Sequence, residues 1–133
     1  MSDLLIDTNV VSFFIKRHRL AEPYRPLLLG FDLAVSFMTV AELNEWAIAA
    51  KWGVGKMGRL RVSLAAYTVL LPDHEMCRQW ADIRCRRRRR PISVSDAWIA
   101  ASALCYDLAL VTHNPDDFEG IPGLKVLTAG SAR

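Results

Sequence analysis

Cysteine is scarce in this chain: Cys77, Cys85 and Cys105 are an odd number with no C-x-x-C spacing. That excludes a disulfide framework and a cysteine zinc site, and leaves reduced thiols in or near the core. The start, MSDLLID, has no basic stretch of the kind that opens a secretory signal. No apolar run approaches the roughly 18 residues of a membrane span, so a soluble cytoplasmic protein with no membrane partner is expected. Internal repeats, low-complexity linkers and Ser/Gly-rich seams are also lacking, and residues 1–133 read as a single domain. A domain of this size buries roughly two thirds of the surface its unfolded chain exposes, without staples.

What is present is unevenly placed. The formal charge is only +3, yet six of the seventeen basic residues lie in RCRRRRR, Arg84 to Arg90. Apolar residues make up 52% of the chain, Trp46, Trp52, Trp80 and Trp98 among them, a surplus that points to surface covered by another chain.

Apolar, β-branched runs predict strands at Leu4 to Ile6, Leu33 to Phe37, Tyr67 to Leu71 and Leu108 to Thr112, with a weaker one at Lys125 to Leu127. Helical spacing predicts helices over Val10 to Lys16, Glu22 to Leu29, Thr39 to Trp52, Lys56 to Ala66, Asp73 to about Arg89, and Ser95 to Tyr106. Strands alternating with helices imply an α/β fold: a parallel sheet with helices on both faces.

The acids recur at element boundaries. In DLLIDTNVVSFF the apolar run ends on Asp7, which would stand at the C-terminal end of the first strand, beside the crevice where open α/β sheets bind ligands. Asp is also a good helix cap, so either reading holds for this stretch alone. TVAEL sets Glu42 three residues after Thr39, and SVSDAW sets Asp96 three residues after Ser93; each matches a capping box. VTHNPDDF carries Asp116 and Asp117 in another strand-end turn. In a parallel sheet these ends all face one way, so the topology makes the carboxylates converge. Two carboxylates about 4 Å apart repel by about 4 kcal/mol at an effective dielectric near 20, so the cluster requires protons or cations. Oxygen donors without His or Cys suit Mg²⁺ or Mn²⁺. Asp3, Asp32, Glu45, Asp73, Asp82 and Asp107 have no such address and read as surface or capping residues.

The segments LLIDTNVVS, VSFMTVAELNEW, ISVSDAWIAASAL and LVTHNPDDF, in that order over residues 3 to 118, resemble the PIN-domain ribonucleases, and among them the VapC toxins. The resemblance implies a central four- or five-stranded parallel sheet, endoribonuclease activity with one or two Mg²⁺ or Mn²⁺ ions, homodimerisation, and inhibition by a VapB-type antitoxin. The motif's acids fall on Asp7, Glu42, Asp96 and Asp117, implied as catalytic residues and metal ligands. Thr8, Asn9, Thr112 and Asn114 fall on supporting polar positions. Many PIN domains carry an acid where this chain has Asn114, which leaves the fourth carboxylate to Asp117 or Asp116.

The expected reaction is cleavage of single-stranded RNA by metal-activated water. Metal-free cleavage through the 2′-hydroxyl needs a paired acid and base, and His18, His74 and His113 are scattered. A haloacid dehalogenase-like phosphatase also has an Asp after its first strand but needs a second two residues on, where Asn9 stands. A non-catalytic RNA-binding module would use the arginines and leave the acids unexplained.

Five consecutive arginines cannot share one helix face, and Pro91 disfavours helix at Arg90, placing the helix end near Arg88 or Arg89. Arg84, Arg86, Arg87, Arg88, Arg89 and Arg90 are therefore expected to bind RNA phosphates, with Lys16, Arg17 and Arg19 extending the track. In VVSFFIKRHRLAEPYRPLLLGF, Phe13, Phe14, Tyr24, Leu27, Leu28 and Leu29 exceed what two short helices bury, and a groove for a partner's amphipathic helix is expected between them.

Overall fold

In the computed structural model, which describes residues 2–129, Leu4–Ile6 form β1 and all three side chains are buried. A strand covered on both faces reads as one apolar run rather than an alternating one. Leu4 and Ile6 pack with Val10, Val11, Tyr24, Val35 and Leu43, whereas Leu5 turns to the opposite cluster with Met76, Ile83, Ile99 and Leu110. The strand period of two is preserved, with both phases apolar.

The chain continues through α1 (Thr8–Ile15), a 3₁₀ turn (Arg19–Ala21), α2 (Tyr24–Leu28), β2 (Leu33–Ser36), α3 (Phe37–Ala49), α4 (Val54–Leu64) and β3 (Thr68–Leu70). It then forms α5 (His74–Arg86), α6 (Val94–Cys105), β4 (Ala109–Val111), a second 3₁₀ turn (Pro115–Phe118) and β5 (Val126–Leu127). The five strands lie in the order β3-β2-β1-β4-β5, and every neighbouring pair is parallel. The α/β architecture is as expected, with five strands.

The chain moves outward from β1 to β3 and then crosses to β4 on the other side of β1. Strand order thus reverses between β1 and β4, and a crevice opens at their C-terminal ends. Helices that return the chain to the start of the next strand begin at that same edge, which brings the first turn of α6 there.

Several boundaries differ from the sequence expectation, each for a local reason. Helix α1 starts at Thr8 rather than Val10, capped by Asp7. Helix α3 starts at Phe37 rather than Thr39, because the buried Ser36 ends the strand and accepts a hydrogen bond from Met38 N at 3.1 Å. It also stops at Ala49, short of Trp52, because Lys51 takes the left-handed conformation (φ 56°), as Arg17 (54°) and Asp107 (53°) do after α1 and α6. Glycine normally marks that position, so non-glycine residues there gave no stop signal. The helix expected over Glu22 to Leu29 shrinks to α2, and α5 ends at Arg86. The three cysteines are free thiols, and among the described residues no helix is long and apolar enough to cross a membrane.

Candidate active site

Asp7 N donates to Val111 O at 2.9 Å, tying the end of β1 to β4 where the sheet order reverses. Its side chain is 5% exposed, and both oxygens are held. Oδ1 accepts from Thr8 N at 2.8 Å as the cap of α1, and Oδ2 accepts from Thr112 Oγ1 at 2.7 Å. The cap reading of Asp7 holds, and the same carboxylate stands at the end of β1: one oxygen caps a helix while the other is oriented from β4. Thr112 Oγ1 also accepts from Asn114 N at 3.0 Å, which ties the turn carrying Asp116 and Asp117 to the same point.

Glu42 is not a cap, which corrects the capping-box reading of TVAEL. With α3 beginning at Phe37, Glu42 lies in its second turn, and Thr8 Oγ1 donates to its Oε1 at 2.7 Å. Thr8 has one hydroxyl proton, committed to Glu42, so Thr39 Oγ1 donates the 2.8 Å bond that joins the two threonines. Thr39 lies buried inside α3 rather than at its cap, and its hydroxyl supports Thr8. On α6 the capping half of the expectation holds: Ser93 Oγ accepts from Asp96 N at 3.0 Å. Asn9 lies in the first turn of α1.

Burial pushes the Asp7 carboxyl above the ordinary carboxylate range, against the hydrogen bonds from Thr112 and Thr8, and the charges of Glu42 and Asp117 add to the rise. Asp96 is pushed up to about 6, by burial first and then by the charge of Asp7, with Asp117 and Glu42 contributing and the Ser93 hydrogen bond opposing. The charge of Asp117 acts on both the buried Asp7 and the half-buried Asp96. Among the described residues, no three Asp, Glu, His or Cys side chains close on a common point at ligand distance. The four acids are electrostatic neighbours around one crevice, all offering oxygen, and the raised proton affinities of Asp7 and Asp96 mark a charge imbalance that a hard divalent cation would relieve.

The arginine run divides. Arg87 is 8% exposed and is withdrawn from the expected RNA-binding set. Its Nε donates to Arg90 O at 2.7 Å, and its Nη1 to Glu119 O and Asp117 O at 3.1 and 3.2 Å. Arg84 donates to Ile92 O at 2.6 Å and lies over the Trp80 ring, so it too is engaged within the fold. Arg86 pairs with Asp82, and Arg90 with Glu119, at exposed positions. Arg88 and Arg89 are exposed and have no side-chain partner among the described residues. His113, beside the site, meets the hydroxyl of buried Tyr24 through Nδ1 at 2.7 Å, a packing role.

The expected apolar groove is displaced. Tyr24 and Leu28 are buried in the core, whereas Leu29 is 81% exposed. A groove of about 540 Å³ lies between the α1–α2 segment and the end of α4, lined by Phe14, Ile15, Leu28, Leu29 and Leu33 on one side and Ala66 and Tyr67 on the other.

Comparison with known proteins matches residues 4–124 to the PIN domain family model. "Ribonuclease VapC1" of Haemophilus influenzae (strain R2866) is 30% identical over 126 residues, spanning 91% of this chain and 93% of that protein. "tRNA(fMet)-specific endonuclease VapC" of Shigella flexneri is 27% identical over 127 residues, spanning 94% and 96%. Among solved structures, VapBC-1 from nontypeable Haemophilus influenzae superposes with a TM-score of 0.79 at 28% identity, covering 94% of this chain and 96% of that one.

Proposed function

The chain belongs to the PIN domain family and to its VapC ribonucleases, and on that premise we propose that it is the toxin of a toxin–antitoxin pair, a divalent-metal-dependent endoribonuclease that cuts single-stranded RNA in the cytoplasm. The observation that carries the chemistry is Asp7 at the β1/β4 switch point, with both oxygens oriented and the charges of Glu42 and Asp117 acting on it.

Asp7, Asp96 and Asp117, with Glu42 beside them, would hold one or two Mg²⁺ or Mn²⁺ ions. Such an ion supplies a lowered pKa for water and stabilises charge on the reacting phosphate. The chain's own residues do the rest. Thr112 and Thr8 N hold the Asp7 carboxylate in one orientation, so no reorganisation is needed when charge develops. The Thr39–Thr8–Glu42 relay does the same from α3. Asp96 sits in the first turn of α6, where the helix N-terminus favours its ionised form against the burial that opposes it. Water attacks phosphorus in line, the bond to the 3′ oxygen breaks, and the products carry a 5′-phosphate and a 3′-hydroxyl. Arg88 and Arg89 meet the phosphates outside the scissile bond, and Arg86 and Arg90 exchange weak exposed ion pairs for phosphate. One relative's name specifies tRNA(fMet); single-stranded loops, whose bases are free, are where RNA sequence is read.

Cleavage of a 5′-labelled single-stranded RNA by the purified chain tests this reading. Product is expected with Mg²⁺ or Mn²⁺ and none in EDTA, with activity returning on metal addition. Undiminished cleavage in EDTA would overturn the metal mechanism.

The partner reading rests on the groove along Phe14, Leu28, Leu29 and Tyr67, which matches the apolar face of an amphipathic helix from a VapB-type antitoxin. The exposed Ile48 of α3, with Val69 and Leu71 near the sheet edge, supports a homodimer as well. Expressed alone, the chain is expected to slow growth, and the small protein encoded beside it is expected to copurify and restore growth. Unaffected growth together with no copurifying partner would count against the toxin reading.

A further inference from the structure

Five arginines in a row look like a phosphate track, yet one of them faces inward. Arg87, the residue that closes α5, is buried and has no carboxylate partner among the described residues. A buried guanidinium is costly unless its donors are satisfied. Here the carbonyls of Arg90, Asp117 and Glu119 accept three hydrogen bonds from Nε and Nη1, from two segments far apart in sequence. Displacing the Asp117–Glu119 turn would leave Nη1 of a buried cation without its two acceptors, so the turn is held by a pair of charge-assisted hydrogen bonds rather than by one ordinary one.

The turn needs such a hold. Asp117 is exposed, and among the described residues its carboxylate accepts no hydrogen bond. Its place is set through the backbone, from Asp117 N to Asn114 O at 3.1 Å on one side and from Arg87 on the other. Asn114 in turn reaches Asp7 by way of Thr112. Arg90 adds an outer tie, with Nη2 donating to Asp116 O at 2.9 Å and Nη1 to Glu119 Oε1 at 2.9 Å.

We propose that Arg87 is a positioning residue: by holding the carbonyls of Arg90, Asp117 and Glu119 it sets where the Asp117 carboxylate stands against Asp7 and Asp96. The inference rests on the nuclease reading above and assigns part of the arginine run to assembling the site rather than to gripping RNA. Lysine cannot replace it, because a single ammonium lacks the planar fork that reaches carbonyls on two segments.

The test compares Arg87→Lys with the pair Arg88→Gln/Arg89→Gln. For Arg87→Lys, Mn²⁺ affinity by calorimetry and kcat should each fall about 10- to 100-fold, the range for removing a group that orients metal ligands. KM for RNA and the salt dependence of RNA binding should not move. The Arg88/Arg89 pair should keep the wild-type Mn²⁺ affinity and show a flatter salt slope, about 0.7 less per lost phosphate contact. An Arg87→Lys protein with wild-type Mn²⁺ affinity and kcat, or with a flattened salt slope, overturns the proposal. A measurement on the unaltered chain stands independently of whether the variant folds: saturating Mg²⁺ should slow exchange of the Arg87 Nη1 protons, which the Asp117 and Glu119 carbonyls accept, at least several-fold by tightening the turn, and an unchanged rate also overturns it. Failure of the nuclease reading is separately visible, since the wild type would then bind no Mn²⁺ and cut no RNA.

Discussion

Asp7→Asn is expected to fold as the wild type does and to cut RNA at least about a thousandfold more slowly. The side chain is buried and fully hydrogen-bonded, so shape must be kept while charge is removed. Asparagine meets that condition. Its carbonyl oxygen accepts from Thr8 N, its amide donates to Thr112 Oγ1, and the Thr112 hydroxyl proton rotates away. The buried Thr112 hydroxyl loses its acceptor, a cost that offsets the gain from removing a carboxylate that burial already disfavours, so the melting temperature should change little. Activity should collapse because the charge is lost at the one acid held from both β1 and β4. Removing a single preorganised neutral donor from an active site costs about 10²- to 10³-fold, and loss of a full ligand charge should reach or pass the top of that range. Single-turnover cleavage with saturating Mn²⁺, alongside thermal unfolding, measures both halves. Retention of more than a tenth of the activity by a folded variant would remove Asp7 from the mechanism.

Asp96→Asn should make the metal-free protein more stable at neutral pH while abolishing its response to metal. An acid whose folded-state pKa lies above its unfolded value contributes fully only below the unfolded value, and that contribution is lost as pH rises through the folded one. For Asp96 the window runs from the ordinary 3.8 up to about 6, so the metal-free wild type loses stability across it. Two pKa units correspond to about 3 kcal/mol, which solvent screening at this half-buried carboxyl reduces to about 1–2 kcal/mol. At pH 7.5 in EDTA, Asp96→Asn should therefore melt several degrees higher than wild type, and the difference should shrink toward pH 4. Mn²⁺ should raise the wild-type melting temperature and leave the variant's nearly unchanged, because a ligand stabilises only a state that binds it. Equal melting temperatures in EDTA at pH 7.5 would show that the burial and crowding of Asp96 carry no cost. The same pH scan on Asp7→Asn should move in the same direction, since burial raises that carboxyl too.

These outcomes would separate what the chain announces locally from what it acquires by folding. The strand–helix alternation was legible because a strand covered on both faces leaves a short unbroken apolar run, as Leu4 to Ile6 do. The addresses of Asp7, Asp96 and Asp117 were legible for a related reason: a parallel sheet puts every strand end and returning helix start on one edge. Helix ends after α1, α3 and α6 were not, because Arg17, Lys51 and Asp107 take a left-handed conformation that only glycine would have flagged.

The finer roles were decided by atoms distant in the chain. TVAEL is a sound capping box as a string, yet Ser36 takes the cap, and Glu42 and Thr39 are left facing Thr8 across the crevice. Asp7 and Thr112 are 105 residues apart and form a 2.7 Å hydrogen bond. RCRRRRR reads as uniform charge, but where α5 ends selects Arg87 for burial and leaves Arg88 and Arg89 in solvent. By itself, then, the sequence determined the layered α/β architecture and the placing of Asp7, Asp96 and Asp117 at strand ends and a helix start, because hydrophobic period and strand polarity act within a few residues. Which oxygen caps and which faces the crevice, and which arginine holds the site together, only the tertiary structure decided, because a hydrogen bond depends on positions set to tenths of an ångström by segments that meet only in the folded chain.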